Sequence, residues 1–524
     1  MIKKFSKRQS SLRKFLKKKI DFYTNKKNRD NNLLFVDRER LDTIFPFSIL
    51  SLAISNKYNL NTIILSDQLE QSTILKVFKK LGYKKFLSGF SFKKIFTSPF
   101  IFICVLFYFF YSALNTYVHG FSWLINKFNI NKIYIGDLIY DSNIRYEFRF
   151  LKPRIDLYFL KLLFSGIFSF FIIKNAITKL KIKKILIGTE TGSRNHGMAL
   201  RISLKMNIKN YAFFRLDKNS ISIISHQKDY PLSGIGSLSK KEFLKISKKI
   251  SLNKVETFYN NRKKFNTTNF YTQRDYNIAN KKNNKGINFL NKLSKKKEKK
   301  ILFACHTFSD APHQSGKFIF NDYFEQFKDT LNYAYNKGDD YLWIFKSHPG
   351  SKLYNEQEVF INEFSKYKKK NILICPKNVP VQNLLEICDT VITGRGTIGM
   401  ECAALGKKVI IAGSAPYSYL DIAFQANTKK EYFNYLENLK KLKKRKSIEE
   451  IKKISKQLIY IYENSLKTEM IKTDELANDK NLFNYLRKLY TNQYNQDSMF
   501  SNFNVILSKN ILKSRIYNKL LKMI

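Results

Sequence analysis

Gly394-Arg395-Gly396-Thr397-Ile398-Gly399 is a literal G-x-G-x-x-G run. Glycine lets a backbone turn sharply and approach a ligand closely. Exposed N–H groups where a helix begins, with the helix dipole behind them, favour an anion. The run falls between an expected strand, Thr390–Thr393, and a helix expected to open near Ile398, so it reads as a phosphate-binding turn. The Thr397 hydroxyl is placed to cap that helix or to meet a phosphate oxygen. A turn that serves only packing is the plainer reading.

A dinucleotide site is disfavoured on three grounds. The run comes late in its half of the chain, whereas the fingerprint normally opens a βαβ unit. The next strand, "KKVIIAG", ends in Gly413, and no acid that could hold a ribose appears before Asp421. Arg395 also projects from the tight turn. A nucleotide-sugar donor fits better. Glu401 lies one helical turn after Thr397 on the same side, where a carboxylate can accept ribose hydroxyls. His348-Pro349, in "IFKSHPG", follows another strand, and proline holds the histidine in an extended loop. With Lys346 beside it, His348 is placed to neutralise a leaving phosphate. The chain has six histidines, and three of them, His306, His313 and His348, fall at expected strand ends of one half.

The elements that must position these residues come in two α/β series. The first runs through "NLLFVDRERLD", "LNTIILSD", "NKIYIGDLIYDSNIR", "KIKKILIG" and "NIKNYAFFR", with helical spacing between several of them. The segment "NKIYIGDLIYDSNIR" reads as a strand running into a polar turn. The second series runs through "KKILFACHTFSD", "DDYLWIFKSHPG", "KNILICPKN", "DTVITGRGT" and "KKVIIAGSA". The expected organisation is a basic arm at 1–31, an α/β domain at 32–285 with an apolar helical insertion at about 95–126, a second α/β domain at 286–430, and a helical region at 431–524. An Asn/Lys-rich stretch at 260–299 reads as a linker or as a helix ending in a charged loop.

With 524 residues, 44% hydrophobic and 15% aromatic, the chain is a packed globular protein of two or three domains. The formal net charge is +53, from 94 Lys+Arg against 41 Asp+Glu. Such a field attracts polyanions, but no nucleic-acid-binding signature stands out and no specific nucleic acid is expected. The five cysteines form no C-x-x-C, so neither a zinc framework nor a redox motif is indicated, and odd, scattered cysteines fit a reducing cytoplasm. The basic first thirty residues lack the apolar stretch of a signal peptide. From Thr97 to Ile125 there is no Asp, Glu, Lys or Arg. Length allows a membrane span there, but Pro99, Asn115, Thr116, His119 and Gly120 interrupt it, so a buried or interfacial helix is the favoured reading.

The second half resembles bacterial capsular polysaccharide biosynthesis glycosyltransferases, the group related to Kdo transferases. The residues that carry the resemblance are "HTFSDAPHQSGKFIFNDYFEQFKDTL" (His306–Leu331), "WIFKSHPG" (Trp343–Gly350) and "GRGTIGMECAALGKKVIIAGSAPYS" (Gly394–Ser418), with "IGDLIYDSNIR" (Ile135–Arg145) in the first half. The resemblance implies a GT-B-like fold: two Rossmann-like domains facing across a cleft, with the donor in the second. It places His348, Thr397 and Glu401 at the donor and implies that no metal or other cofactor is needed. A catalytic base is then expected from the first domain, with Asp137, Asp141 and Glu190 as strand-end candidates and Asp310 as a donor-side one. Asp141 and Arg145, four apart, would pair if helical. His196 is expected to cap a helix or contact the acceptor.

The expected function is transfer of a sugar from a CMP-, UDP- or GDP-linked donor to a lipid-linked or polysaccharide acceptor of a surface polymer. The expected place is the cytoplasm, at the inner face of the plasma membrane, against anionic lipid. The expected donor-side residues are His306, His313, Lys346, His348, Pro349, Arg395, Gly396, Thr397 and Glu401. Transfer of a polyol phosphate from a CDP-glycerol type donor is one alternative. A non-catalytic polyanion-binding module of the same fold is another.

Overall fold

The structure is a computed structural model that describes residues 31–36, 51, 54–55, 58–66, 83, 85–88, 99–145, 147–188, 194–213, 221–224, 240–263, 284–313, 316–352, 354–377 and 379–461. Contacts divide the chain into two compact units. The first comprises Met1–Ile139, Asp156–Gln227 and Thr468–Ile524; the second comprises Tyr140–Ile155 and Lys228–Lys467. Each unit is built on its own six-stranded sheet.

In the first unit the strands are β1 (Asn32–Val36), β2 (Asn61–Ser66), β3 (Lys85–Ser88), β6 (Ile182–Gly188), β7 (Lys209–Phe213) and β8 (Ile221–Ile224). They lie in the order β3-β2-β1-β6-β7-β8, parallel except for the antiparallel β7–β8 pair. A separate two-stranded hairpin pairs β4 (Asn129–Ile130) with β5 (Ile133–Tyr134).

The second unit contains β9 (Lys300–Ala304), β10 (Leu342–Lys346), β11 (Ile372–Ile374), β12 (Thr390–Thr393), β13 (Lys408–Ile411) and β14 (Phe424–Gln425). Their order is β11-β10-β9-β12-β13-β14, all parallel. Numbered within its own unit, each sheet has the order 3-2-1-4-5-6, the doubly wound Rossmann arrangement. Strands such as "KILFA" and "LWIFK" are buried along their whole length, which is why they read as continuous apolar runs rather than alternating ones. Helix starts follow capping rules. Asp322 accepts from the Glu325 N–H at the head of Tyr323–Lys337, and Thr428 and Ser447 do the same for Glu431 and Glu450.

The observed organisation differs from the sequence expectation in three places. The second unit begins at Lys228, not 286, because the helices Lys240–Ser247 and Leu252–Lys263 belong with it. Phe258 packs on Tyr460 at 5.3 Å, and Lys456 pairs with Glu256 at 2.8 Å. Of the Asn/Lys-rich stretch 260–299, the helices Leu252–Lys263 and Asn284–Ser294 take up the two ends, and residues 264–283 lie outside the described residues. The short segment Tyr140–Ile155 also belongs to the second unit, where Phe150 sits 5.6 Å from Phe308 and 5.5 Å from Phe324. Finally, "NKIYIGDLIYDSNIR" adds no strand to the main sheet; only Ile133–Tyr134 is extended, and Gly136–Ile144 is a helix. Short apolar runs do not distinguish strand from buried helix by periodicity. The basic arm and the chain beyond 461 lie outside the described residues.

Two long apolar helices, Pro99–Lys127 and Leu157–Lys179, belong to the first unit. They pack through aromatic pairs, Phe109–Phe164 at 5.6 Å and Phe121–Phe159 at 5.1 Å. Gly120, at φ 75°, kinks the first of them.

Candidate functional site

In a doubly wound sheet, ligands gather outside the carboxyl ends of the strands at the point where the strand order reverses. In the second unit that point lies between β9 and β12. His306 follows β9, His348 follows the neighbouring β10, and Gly394-Arg395-Gly396 follows β12. The resemblance of the glycine run to a dinucleotide fingerprint thus has a topological reason. It lines the crevice from the fourth strand of its sheet, where the fingerprint would line it from the first.

These three loops meet. The His306 Nε2 accepts from the Arg395 backbone N–H at 3.2 Å. Its ring stacks on Tyr323, with centroids 4.3 Å apart and planes 11° apart, and lies parallel to His348 at 6.2 Å. Accepting at Nε2 leaves the His306 proton on Nδ1. Burial, with His348 and Arg395 nearby, holds the His306 pKa well below the ordinary value of 6.5, so the ring is neutral. His348 has the opposite tautomer. Its Nδ1 accepts from the Gly350 N–H at 3.0 Å, which puts the proton on Nε2. Pro349 opens the short turn that sets this geometry.

Gly394 and Gly399 are needed for close approach. A Cβ at Gly394 would lie 2.8 Å from the Tyr323 ring, and one at Gly396 would lie 3.5 Å from His306 Nε2. At Gly399 a Cβ would fall 2.0 Å from the Tyr417 hydroxyl, which donates to the Gly396 carbonyl at 2.7 Å. Two of the three glycines therefore make room for side chains that shape the turn, and the packing and ligand-binding readings converge on the same residues. Thr397 is exposed at the head of the helix Ile398–Ala404 and makes no side-chain capping bond, so of the two roles expected for its hydroxyl the cap is not made.

Several expected donor-side residues have other partners. The Arg395 guanidinium donates to the Ser414 carbonyl at 3.0 and 2.6 Å and to the Pro312 carbonyl at 2.5 Å, tying three loops together. Lys346 is buried, and its Nζ donates to the Val379 carbonyl at 2.8 Å, so it does not stand beside His348 as a phosphate ligand. Glu401 pairs with Arg262 at 2.8 Å, both mostly buried, so one carboxylate oxygen is engaged before any ribose arrives.

The carboxylates expected to supply a base separate clearly. Asp141 is fully buried and accepts from the His313 N–H at 3.1 Å and from its Nδ1 at 2.6 Å. It orients His313 and holds the loop that follows β9. It does not pair with Arg145, which bridges to Asp310 at 3.5 Å instead. Asp310 is half-exposed on the same loop as His306. Asp137 is clamped by Arg201 through two 2.6 Å bonds inside the first unit. Glu190 lies outside the described residues. His196 lies in the first turn of the helix Arg194–Lys205, with its Nε2 3.3 Å from the Val36 carbonyl at the end of β1.

Three contributors were not singled out from the sequence. Glu356, fully buried, accepts from the backbone N–H groups of Phe308 and Ser309 at 2.8 and 2.7 Å and pins the His306 loop. Burial raises its pKa. Tyr140 donates to Asp322 at 2.6 Å. Burial lifts the Asp322 carboxyl to about 6 despite that bond. Tyr323, the platform under His306, reads from sequence as an ordinary core aromatic. Burial pushes the thiols of Cys305, Cys375, Cys388 and Cys402 upward, which makes them inert packing groups. Among the described residues no cluster of three or more His, Cys, Asp or Glu could hold a metal ion.

Among solved structures, the chain is similar to the KpsC beta Kdo 2,4 transferase of Thermosulfurimonas dismutans at 11% identity, covering 52% of this chain and 79% of that one, with a TM-score of 0.27. It is similar to a glycosyltransferase from Rickettsia africae ESF-5 at 13% identity, with 88% and 99% coverage and a TM-score of 0.27. It is also similar to the UDP-GlcNAc 2-epimerase of Neisseria meningitidis, solved bound to UDP-GlcNAc, at 10% identity, 81% and 93% coverage and a TM-score of 0.25. A search of curated protein sequences finds no match. Residues 237–446 match the family described as "Capsule polysaccharide biosynthesis protein". That match takes in the histidine loops and the glycine-rich turn together.

Proposed function

We propose that the protein is a glycosyltransferase whose second unit binds a nucleotide-activated sugar and transfers the sugar to a growing surface polysaccharide. The observation that carries this reading is the meeting of His306, His348 and the Gly394–Gly396 turn at the strand-order reversal of one parallel sheet.

An anion seated there meets the Nε2–H of His348, the Thr397 hydroxyl and the amides that open the helix Ile398–Ala404. Fixed N–H and O–H dipoles aimed at the leaving phosphate stabilise the charge that develops on it as the glycosidic bond breaks. They need no reorganisation, because Tyr323, Tyr417 and Arg395 already hold the loops. The base that takes the acceptor hydroxyl proton is assigned to Asp310, the half-exposed carboxylate on the His306 loop. Asp141 serves instead to hold His313. The Glu401 oxygen not bonded by Arg262 is assigned to a ribose hydroxyl. The acceptor is a lipid-linked or polysaccharide chain, and the site of action is the cytoplasmic face of the plasma membrane.

The test is a thermal-shift screen with CMP, UDP, GDP and CDP-glycerol, followed by transfer or slow donor hydrolysis with the sugar nucleotides of the stabilising base. A ligand at 100 times its Kd stabilises by about 2.7 kcal/mol, a readable shift. Stabilisation by a nucleotide, lost in His348→Ala, is expected. Stabilisation by CDP-glycerol with glycerol phosphate transfer would assign a polyol-phosphate transferase instead. No response to any member of the panel would overturn the reading.

A further inference from the structure

The helix Pro99–Lys127 has two unlike faces. Val105, Ser112 and Thr116 are fully buried against the first unit. On another face Phe100, Ile103, Phe107, Phe110, Leu114 and Tyr117 are 62–78% exposed. Their spacing is 3-4-3-4-3, so they form one continuous stripe along the helix. Together they present several hundred Å² of apolar surface, more than a monomeric soluble protein normally leaves in water.

The chemistry of the stripe selects its occupant. A heptad-spaced stripe could seat a second helix, but coiled-coil seams are flanked by charged positions that set partner and register. Here no Asp, Glu, Lys or Arg occurs from Thr97 to Ile125. The stripe is instead rich in phenylalanine and tyrosine, the composition of helices that lie in a membrane interface. The nearby parts of the same unit are basic. Lys127, Lys161 and Lys179 are exposed, whereas Asp137 is clamped by Arg201 and Asp156 is used as a helix cap. The whole chain carries +53. The buried face argues for lying rather than spanning, because a helix held along one side by a folded unit offers lipid only the other side.

We infer that this stripe docks the protein on an anionic lipid bilayer, with the helix lying in the plane of the surface. Phenyl and alkyl side chains enter the boundary between head groups and acyl chains, and the flanking ammonium groups meet lipid phosphates. The inference does not rest on the donor-site reading, since vesicle binding is measured with no donor present.

The full chain is tested by flotation with vesicles of phosphatidylcholine alone and of phosphatidylcholine with phosphatidylglycerol. Preferential binding to the anionic vesicles, weakened by salt, is expected. A Phe107→Gln, Phe110→Gln, Leu114→Gln variant should lose at least about tenfold of that binding. Its unfolding temperature should change little, because each of these side chains is 64% exposed and the ring contacts of Phe107 and Phe110 are with neighbours on their own helix. Nitroxides placed by Ile103→Cys, Phe110→Cys and Tyr117→Cys, in a Cys104→Ser background, should report one common depth. A depth that changes steadily along the helix would overturn the in-plane assignment. Equal binding to neutral vesicles would overturn the anionic surface. A lipid-free dimer that the triple variant dissociates would assign the stripe to a second copy of the chain and overturn the proposal.

Discussion

The two units share a strand order and differ in what they place between their third and fourth strands. In the second unit, residues 375–389 suffice to return from β11 to β12, with one short helix, Val381–Ile387. In the first, the chain from 89 to 181 intervenes between β3 and β6 and includes both long apolar helices. The short return brings β12 beside β9 with little ornament, and the polar chemistry is built into the loops at the strand ends. The long return leaves the sheet order intact and adds an apolar surface. One scaffold therefore accommodates a histidine- and glycine-lined crevice in one copy and a long apolar helix with an exposed face in the other, because a parallel sheet constrains its strands far more than its connections.

The sharpest way to break this division is at the crevice. His348→Ala should lower kcat/KM for donor turnover by about 100- to 1,000-fold, as loss of one fixed donor at a developing negative charge does. The unfolding temperature should stay near that of the parent. Nucleotide release in a steady-state assay measures it, and full activity would remove His348 from the site.

A pair of glycine substitutions compares the units directly. Gly399→Ala forces a methyl against the Tyr417 hydroxyl and should destabilise by about 1–3 kcal/mol while weakening donor binding through the displaced turn. Gly120→Ala meets no atom within 4 Å and costs only the strain of a backbone at φ 75°, ψ 177°, about 1–3 kcal/mol. It should leave the nucleotide-induced thermal shift untouched. If both variants lose that shift alike, the assignment of separate tasks to the two units fails.

Lys346→Met sharpens the distinction between ligand and scaffold within the second unit. It leaves the Val379 carbonyl short of a donor and should cost about 1–2 kcal/mol of stability in denaturant titration. The KM for the donor should not change; a large rise would restore Lys346 to the phosphate.

The smallest effect is in pH. His306 has a depressed folded pKa, so the unfolded chain binds the proton first as pH falls below 6.5, and this group's contribution to stability drops on acidification. Asp322 is raised from 3.8 to about 6, so the folded state binds the proton first, and its contribution increases as pH falls through that window. Between pH 6.5 and 4 the two oppose each other. Unfolding temperatures across that range should fall more steeply with acid in Asp322→Asn than in the parent, and less steeply in His306→Gln.

The central strands of both sheets were legible because runs buried on both faces announce themselves, as "KILFA" and "TVIT" do, whereas the shorter or edge strands β3, β8 and β14 were not. His306, His348 and the glycine run were legible because each follows such a strand. Their partners were not. Asp141 meets His313 and Glu401 meets Arg262 across 172 and 139 residues, distances over which no local spacing carries information. Asp141 consequently read as an accessible base and Glu401 as an unengaged ribose ligand. Lys346 misled because a lysine two residues from a histidine looks like an anion site, while burial at the strand end settles its orientation. Tyr323 was invisible for the converse reason. An aromatic at the head of an amphipathic helix looks like core until the ring stacked on it is seen.

Arg395 has a consequence for how the crevice is kept in register. Its planar fork spans the carbonyls of Pro312 and Ser414, while its own amide reaches His306. It acts as a rivet through three chain segments, with its charge spent inward on oxygen atoms of the protein. A lysine there would keep the charge yet could not bridge two directions at once. The mouth of the crevice is thus shaped before any guest enters, and its selectivity is a matter of outline as much as of charge.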